Sequence, residues 1–235
     1  MIYLKSLNNK ANGSRFVDVT AITLRVGPEK KLTVVHKDLL CGTSAFFAAA
    51  FESLFKEGQN QTMDLPDEDP EILDQFLEWL YSKDFAGSHI FWGKDFKRRF
   101  LTTVDIDHVI KLYLIAEKYH VEQLSRSAID VFFEARKRTY CPTKRQISHL
   151  YANTSTQAGL RKLLIDWCIR DDERDWILSK ESRDWLASEP EIAADFVVAL
   201  DKKMRMDKDK NSRAHWGQDV SLYYDAVCVK TKAKE

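Results

Sequence analysis

A chain of 235 residues holds one large domain or two modest ones, and its 44% apolar residues, with 13 Phe, 8 Tyr and 6 Trp, exclude disorder throughout. Lys plus Arg number 36, as do Asp plus Glu, so no overall field favours nucleic acid or an anionic membrane. The opening MIYLKSLNNK lacks the apolar run of a signal peptide, and the expected location is intracellular, cytoplasmic and/or nuclear.

In chain order, Ile2, Leu4 and Leu7 make a short apolar patch ahead of a polar stretch. Val17–Val26 alternates well enough for a strand, Gly27-Pro28-Glu29-Lys30 is a turn signal, and Lys31–Val35 is a β-branched run. The two runs read as a hairpin. From Asp38 the spacing changes to helical, with Leu39, Leu40, Phe46, Phe47, Ala50, Phe51 and Leu54 suited to one face and a break at Gly42-Thr43-Ser44. Leu39 to Phe51 carries no charge but is too short to span a bilayer, which takes roughly 18 residues or more. A buried helical hairpin at the centre of the core is the expectation. The helix from Ser44 to Leu54 is then ended by Gly58, which leaves Phe55 on its last, most exposed turn. Phe55 as a continuation of the core stripe is the other reading.

Gly58–Gln61 reads as a polar break, and Thr62–Leu65 as a third short strand. Asp69 is a candidate N-cap, Pro70 fits the first helical position, and Ile72, Leu73, Phe76, Leu77 and Leu80 make an apolar stripe. The interval 82–104 breaks the rhythm and reads as an enlarged loop. Asp105 caps a helix over Ile106–Tyr119. A second helix, marked by Val121, Leu124, Ala128, Ile129 and Phe132, runs to about Arg136. His120 between them stands where a left-handed residue is needed. From Thr139 the pattern is purely helical. Thr143-x-x-Gln146 and Ser188-x-x-Glu191 both fit a capping box. Leu160, Leu163, Leu164, Trp167 and Cys168 form one stripe, and Ile192, Phe196, Val197 and Leu200 another. After Met206 the chain is polar and lysine-rich, with a last apolar patch at Leu222–Val229.

No catalytic constellation stands out, and neither a cofactor nor a metal is expected. There is no H-E-x-x-H, no G-x-S-x-G and no phosphate-cradling glycine loop. His36 with Asp38 is read as a capping and buried hydrogen-bonding pair rather than an acid/base couple. The acidic string Asp64, Asp67, Glu68, Asp69 and Glu71 is read as a solvated helix start. Asp207-x-Asp209-x-Asn211 copies the first ligands of a calcium loop but has Ser212 and Gln218 where the loop needs Gly and Glu. Asp18, between Val17 and Val19, reads as a partly buried carboxylate tied to nearby amides. Phe91–Phe100, with Lys97-Arg98-Arg99, is the one nucleic-acid candidate, and its few charges give a weak phosphate attraction. Arg136-Lys137-Arg138 reads as a cationic helix end. Cys41, Cys141, Cys168 and Cys228 lie far apart without a C-x-x-C pair, which suits a reducing compartment and neither a disulfide framework nor a zinc knuckle. The sequons at Asn12, Asn60 and Asn153 are therefore read as chance matches.

Several ordered motifs carry a resemblance. They are Leu4-x-x-Leu7-Asn8, Val17-Asp18-Val19, the VHKDLL run from Val35, Ser44-x-x-Phe47, LPDEDPEILDQFLEWLY from Leu65, and Leu112-Tyr113-x-x-Ala116-Glu117-Lys118-Tyr119-x-Val121. The chain resembles the BTB/POZ domain, and among such proteins the fungal set with one N-terminal BTB domain. The resemblance implies an α+β fold, a small sheet flanked by helical hairpins, followed by an all-α C-terminal extension. It divides the chain into a BTB/POZ domain over 1–136, a helical BACK-like extension over 137–206, and a polar tail over 207–235. It implies a non-enzymatic protein–protein interaction module. The alternatives are a substrate adaptor of a cullin-based ubiquitin ligase and, further off, a DNA-associated regulator. In cullin-binding relatives a hydrophobic-x-Glu triplet stands where this chain has Phe55-Lys56-Glu57, and animal BTB dimers often pair through an N-terminal helix, here the segment of Leu4 and Leu7. Phe55, Glu57, Leu4 and Leu7 are thus the expected partner-binding residues, with a cullin and a weak homodimer as the implied partners.

Overall fold

The structure, a computed structural model, describes residues 20–83, 105–136, 141–170, 179–208 and 219–224. Leu4, Leu7, Asp18, the 84–104 segment with its basic-aromatic stretch, and most of the calcium-like loop lie outside the described residues.

The sheet is built around β1 (Ala21–Val26), which runs antiparallel to β2 (Lys31–His36) and parallel to β3 (Thr62–Leu65), in the order β2-β1-β3. Ala21 stands opposite His36, Val26 opposite Lys31, and Thr23 opposite Thr62. The inward residues Ile22, Leu24 and Val26 are buried, as the alternation predicts. Gly27 turns the hairpin with a φ of 71°, and a Cβ there would press on Pro70 Cγ at 3.1 Å. Glycine is therefore required both by conformation and by the close approach of the next helix. Thr23 and Gly27 donate to Gln61 O and Leu65 O, each at 2.9 Å, which fixes the alternation of backbone groups across the sheet. It turns the main-chain groups of Leu32 and Val34 outward, to the side of β2 that no described strand pairs. Next in that series, His36 N–H donates to Tyr81 Oη at 3.2 Å. Val35 alone of β2 is buried in the core, while Leu32 and Val34 are exposed.

β2 leads directly into α1 (Lys37–Cys41) and, after Gly42-Thr43, into α2 (Ala45–Phe51). Ser44 caps α2: its hydroxyl accepts from Phe47 N–H at 3.2 Å and donates to Tyr119 O at 2.6 Å, with the residue 1% exposed. Phe47 is wholly buried, stacked on Tyr119 at 4.9 Å and on Phe51 at 6.3 Å. The expected helix to Leu54 is shorter than its spacing predicts. It ends at Phe51, residues 52–55 bend away, and α3 (Lys56–Asn60) occupies most of what reads as a polar break. Of the expected core stripe, Leu40, Phe47 and Phe51 are buried, Leu39 and Ala50 half-buried, and Phe46 and Leu54 exposed.

The helix α4 (Pro70–Ser82) starts as its sequence predicts, with Asp69 accepting from Glu71 N–H at 3.0 Å, and its stripe Ile72, Leu73, Phe76, Leu77 and Leu80 is buried. Asp105 caps α5 (Ile106–Lys118) by accepting from His108 N–H, and α6 (Glu122–Ala135) follows after a turn in which His120 has a φ of 52°. Tyr119, between them, donates to Glu68 at 2.6 Å. Burial and that bond together push its phenol well above the ordinary range.

The remaining described helices are α7 (Lys144–Ala152), α8 (Gly159–Arg170), α9 (Lys180–Ser188) and α10 (Pro190–Lys208), followed by a 3-10 turn over Val220–Tyr223. Thr143 and Gln146 form the expected capping box of α7. The second expected box does not form: Ser188 closes α9, its hydroxyl donating back to Trp185 O at 2.8 Å, because Ser179 caps α9 and Pro190 begins α10. Trp167 of α8 meets Phe132 of α6 edge-on at 6.4 Å and Tyr223 packs on Phe133, so one hydrophobic core runs from the sheet into these helices. Arg161, 3% exposed, lies over the Tyr151 ring and donates to Tyr151 O at 2.7 Å and Glu191 at 2.6 Å, tying α8 to α7 and α10. On α10 only half the expected stripe is buried. Ile192 and Phe196 face the core, while Val197 and Leu200 are exposed, since a single neighbouring face is covered by α8 and α9. The described part is α+β, and no described helix is long and apolar enough to cross a membrane.

Candidate interaction surface

The bend after α2 is held by backbone and polar side chains rather than by packing. Lys37 Nζ donates to Phe51 O at 3.0 Å and Gln61 Nε2 reaches the same carbonyl at 3.5 Å, which satisfies the C-terminal end of α2. Ser53 Oγ donates to Ala50 O at 3.0 Å and accepts from Phe55 N–H at 3.2 Å. Gln59 Nε2 donates to Leu54 O at 2.8 Å, and Gln59 N–H to Phe55 O at 3.0 Å. Gln61 then takes a left-handed φ of 50° to leave α3 for β3. Gly58 lies under this bend, and a Cβ on it would sit 2.0 Å from Ser53 O, so no other residue fits without moving the backbone.

The result is a narrow rim on which Leu54 is 92% and Phe55 71% exposed. Phe55 occupies the N-cap position of α3 in extended backbone, without any side-chain cap. Its expected place on the last turn of a longer helix, ended by Gly58, is therefore corrected: Gly58 lies inside α3, and the exposure of Phe55 comes from the bend. Its alternative place in the core stripe is excluded by the same exposure. Glu57 is half-buried in the first turn of α3, where a carboxylate suits the helix dipole. Two apolar side chains in water beside a carboxylate, on a backbone already fixed, can serve as anchors for another protein at low ordering cost.

Other sequence candidates resolve into structural roles. His36 is exposed, makes no side-chain cap, and its Nδ1 lies 2.7 Å from Tyr81 Oη, so the expected buried capping pair with Asp38 does not form. Three of the acidic string make ion pairs: Asp64 with Arg25, Glu68 with Lys118, and Asp69 with Lys111 at 3.2 Å. Lys111 and Lys118 thereby line a shallow groove with Asp67, Glu68, Asp69 and Ile72, three carboxylates against two lysines. Among the described residues no group of three or more His, Cys, Asp or Glu is placed to hold a metal ion. Sequence reasoning missed one juxtaposition. Cys141 and Cys168, 27 positions apart, bring their sulfurs to 2.7 Å, and nothing in their spacing signals it.

Residues 7–132 match the family model of the BTB/POZ domain, which is more than half of the chain. The hairpin with its parallel third strand, the capped α1–α2 hairpin, α5 and all but the last three residues of α6 fall within that match, and the chain belongs to the BTB/POZ domain family. Comparison with curated proteins finds no match. BTB/POZ domains are protein-interaction modules that bind other proteins and homodimerise, so protein–protein interaction in that general sense is the function of this chain's first half.

Proposed function

We propose that the chain acts by non-enzymatic protein recognition, with the rim of Leu54 and Phe55 as a docking element. The observation that carries this reading is the exposure of two adjacent large apolar side chains on a bend that Gly58, Ser53, Gln59 and Gln61 hold in place. A buried anchor of this kind commonly costs about 2 kcal/mol or more when truncated, close to thirtyfold in affinity.

A second reading is favoured by a specific feature of the same rim. Phe55-Lys56-Glu57 has the hydrophobic-x-Glu form of cullin-binding BTB proteins, with Phe55 exposed and a carboxylate two residues on. In this reading the chain is an adaptor bringing substrates to a cullin-based ubiquitin ligase, in the cytoplasm and/or nucleus. Self-association is weak, and any dimer depends on Leu4 and Leu7. The test is affinity purification of the full chain and of Phe55→Ala/Glu57→Ala from cell extract, with thermal melting of both. A cullin recovered with the wild type and lost with an equally stable double variant supports the adaptor. If the wild type recovers no cullin, the adaptor reading falls. If the double variant recovers every partner, the rim is not the docking element.

A further inference from the structure

Cys141 and Cys168 come from opposite ends of the α7–α8 hairpin. Cys141 precedes Pro142 and the capping box that starts α7, and Cys168 lies in the last turn of α8, flanked by the buried Trp167 and Ile169. Their sulfurs are 2.7 Å apart, inside van der Waals contact of two sulfur atoms, yet both residues are thiols. Cys141 is half-exposed and Cys168 is 1% exposed, so one sulfur can meet a reagent and the other is shielded beside it. That asymmetry is what a dithiol needs in order to be oxidised in two ordered steps.

We propose that Cys141 and Cys168 form a dithiol–disulfide site oxidised by a small-molecule disulfide. The Cys141 thiolate attacks one sulfur of the reagent RSSR, forming a mixed disulfide at Cys141 and releasing one thiolate. The Cys168 thiolate then attacks Cys141 Sγ, forming the internal bond and expelling the second. Two thiols and RSSR give one disulfide and two RSH, with the two protein protons passing to the leaving thiolates. The bond pins the start of α7 to the end of α8, the helix whose Trp167 leans on Phe132 of the BTB domain. Oxidation thereby closes the chain from 141 to 168 and fixes α7 and α8 to one another.

The full chain, incubated with rising ratios of oxidised to reduced glutathione and then alkylated and digested with trypsin, tests this. The expected product joins the peptides 139–144 and 163–170 and is two hydrogens lighter than their sum. Its appearance raises the melting temperature by about 5–10 °C, as closing a loop of this length does in a chain of this size. Dithiothreitol reverses both changes, and Cys141→Ser, at a half-exposed position that leaves the fold intact, abolishes both. Glutathione retained on Cys141 with Cys168 alkylated, a bridge to Cys41 or Cys228 instead, or a melting shift that persists in Cys141→Ser would each overturn the proposal.

Discussion

The α1–α2 hairpin and the rim that follows it both carry large apolar side chains, and these meet opposite fates. Phe47 and Phe51 vanish into the core, whereas Leu54 and Phe55, a few residues on, stand in water. The difference does not lie in the side chains. It lies in where α2 stops, and α2 stops where Lys37 and Gln61 claim the carbonyl of Phe51. An apolar residue is buried only if the backbone delivers it to a core, so an exposed pair on a rigid bend is the more informative observation.

The contrast breaks most severely at Phe47. Phe47→Ala is expected to cost ~3–5 kcal/mol, the range for a fully buried Phe. Whole domains hold only ~5–15 kcal/mol, so the variant should express poorly or unfold at much lower denaturant. An unchanged denaturation midpoint would contradict the packing described. Gly58→Ala comes next, at ~1–3 kcal/mol, because a methyl group 2.0 Å from Ser53 O forces the bend open. Here protease sensitivity near Leu54 should rise with the loss of stability, and a variant identical to wild type in both would mean that the rim is not closed by this glycine.

Ser44→Ala sharpens the other side of the comparison. It removes the cap of α2 and leaves the buried carbonyl of Tyr119 without its donor, for ~1–2 kcal/mol by urea titration. Stability within error of wild type would show that the hydroxyl is replaceable. Phe55→Ala should move stability by under ~0.5 kcal/mol, the usual figure for an exposed position. A loss approaching that of Phe47→Ala would place Phe55 in the core and erase the contrast.

Much of this fold was legible because its signals are local. Asp69-Pro70, Asp105 and Thr143-x-x-Gln146 each announce a helix start within four residues, and each cap forms. His120 takes the left-handed turn that its place between two helical patterns demands. What could not be read depends on distant groups. The end of α2 is set by side chains 14 and 10 residues from Phe51. Val197 and Leu200 share a helical stripe with Phe196, yet burial depends on which flank of α10 the α8 and α9 helices cover. The site itself divides the same way. The triplet Phe55-Lys56-Glu57 was visible as letters, whereas the bend that exposes it needs Gly58 under Ser53.

The open side of β2 bears on how the protein behaves in concentrated solution. Among the described residues no strand pairs with its outward main-chain groups over Leu32 to Val34; Tyr81 takes up the far end at His36, and Lys30 and Lys31 flank the near one. With a formal net charge of zero and a pI near 7.0, molecules at neutral pH have no overall repulsion to keep them apart. Among the described residues that opening is only a few residues long, which offers a neighbouring strand too little backbone to grow a shared sheet.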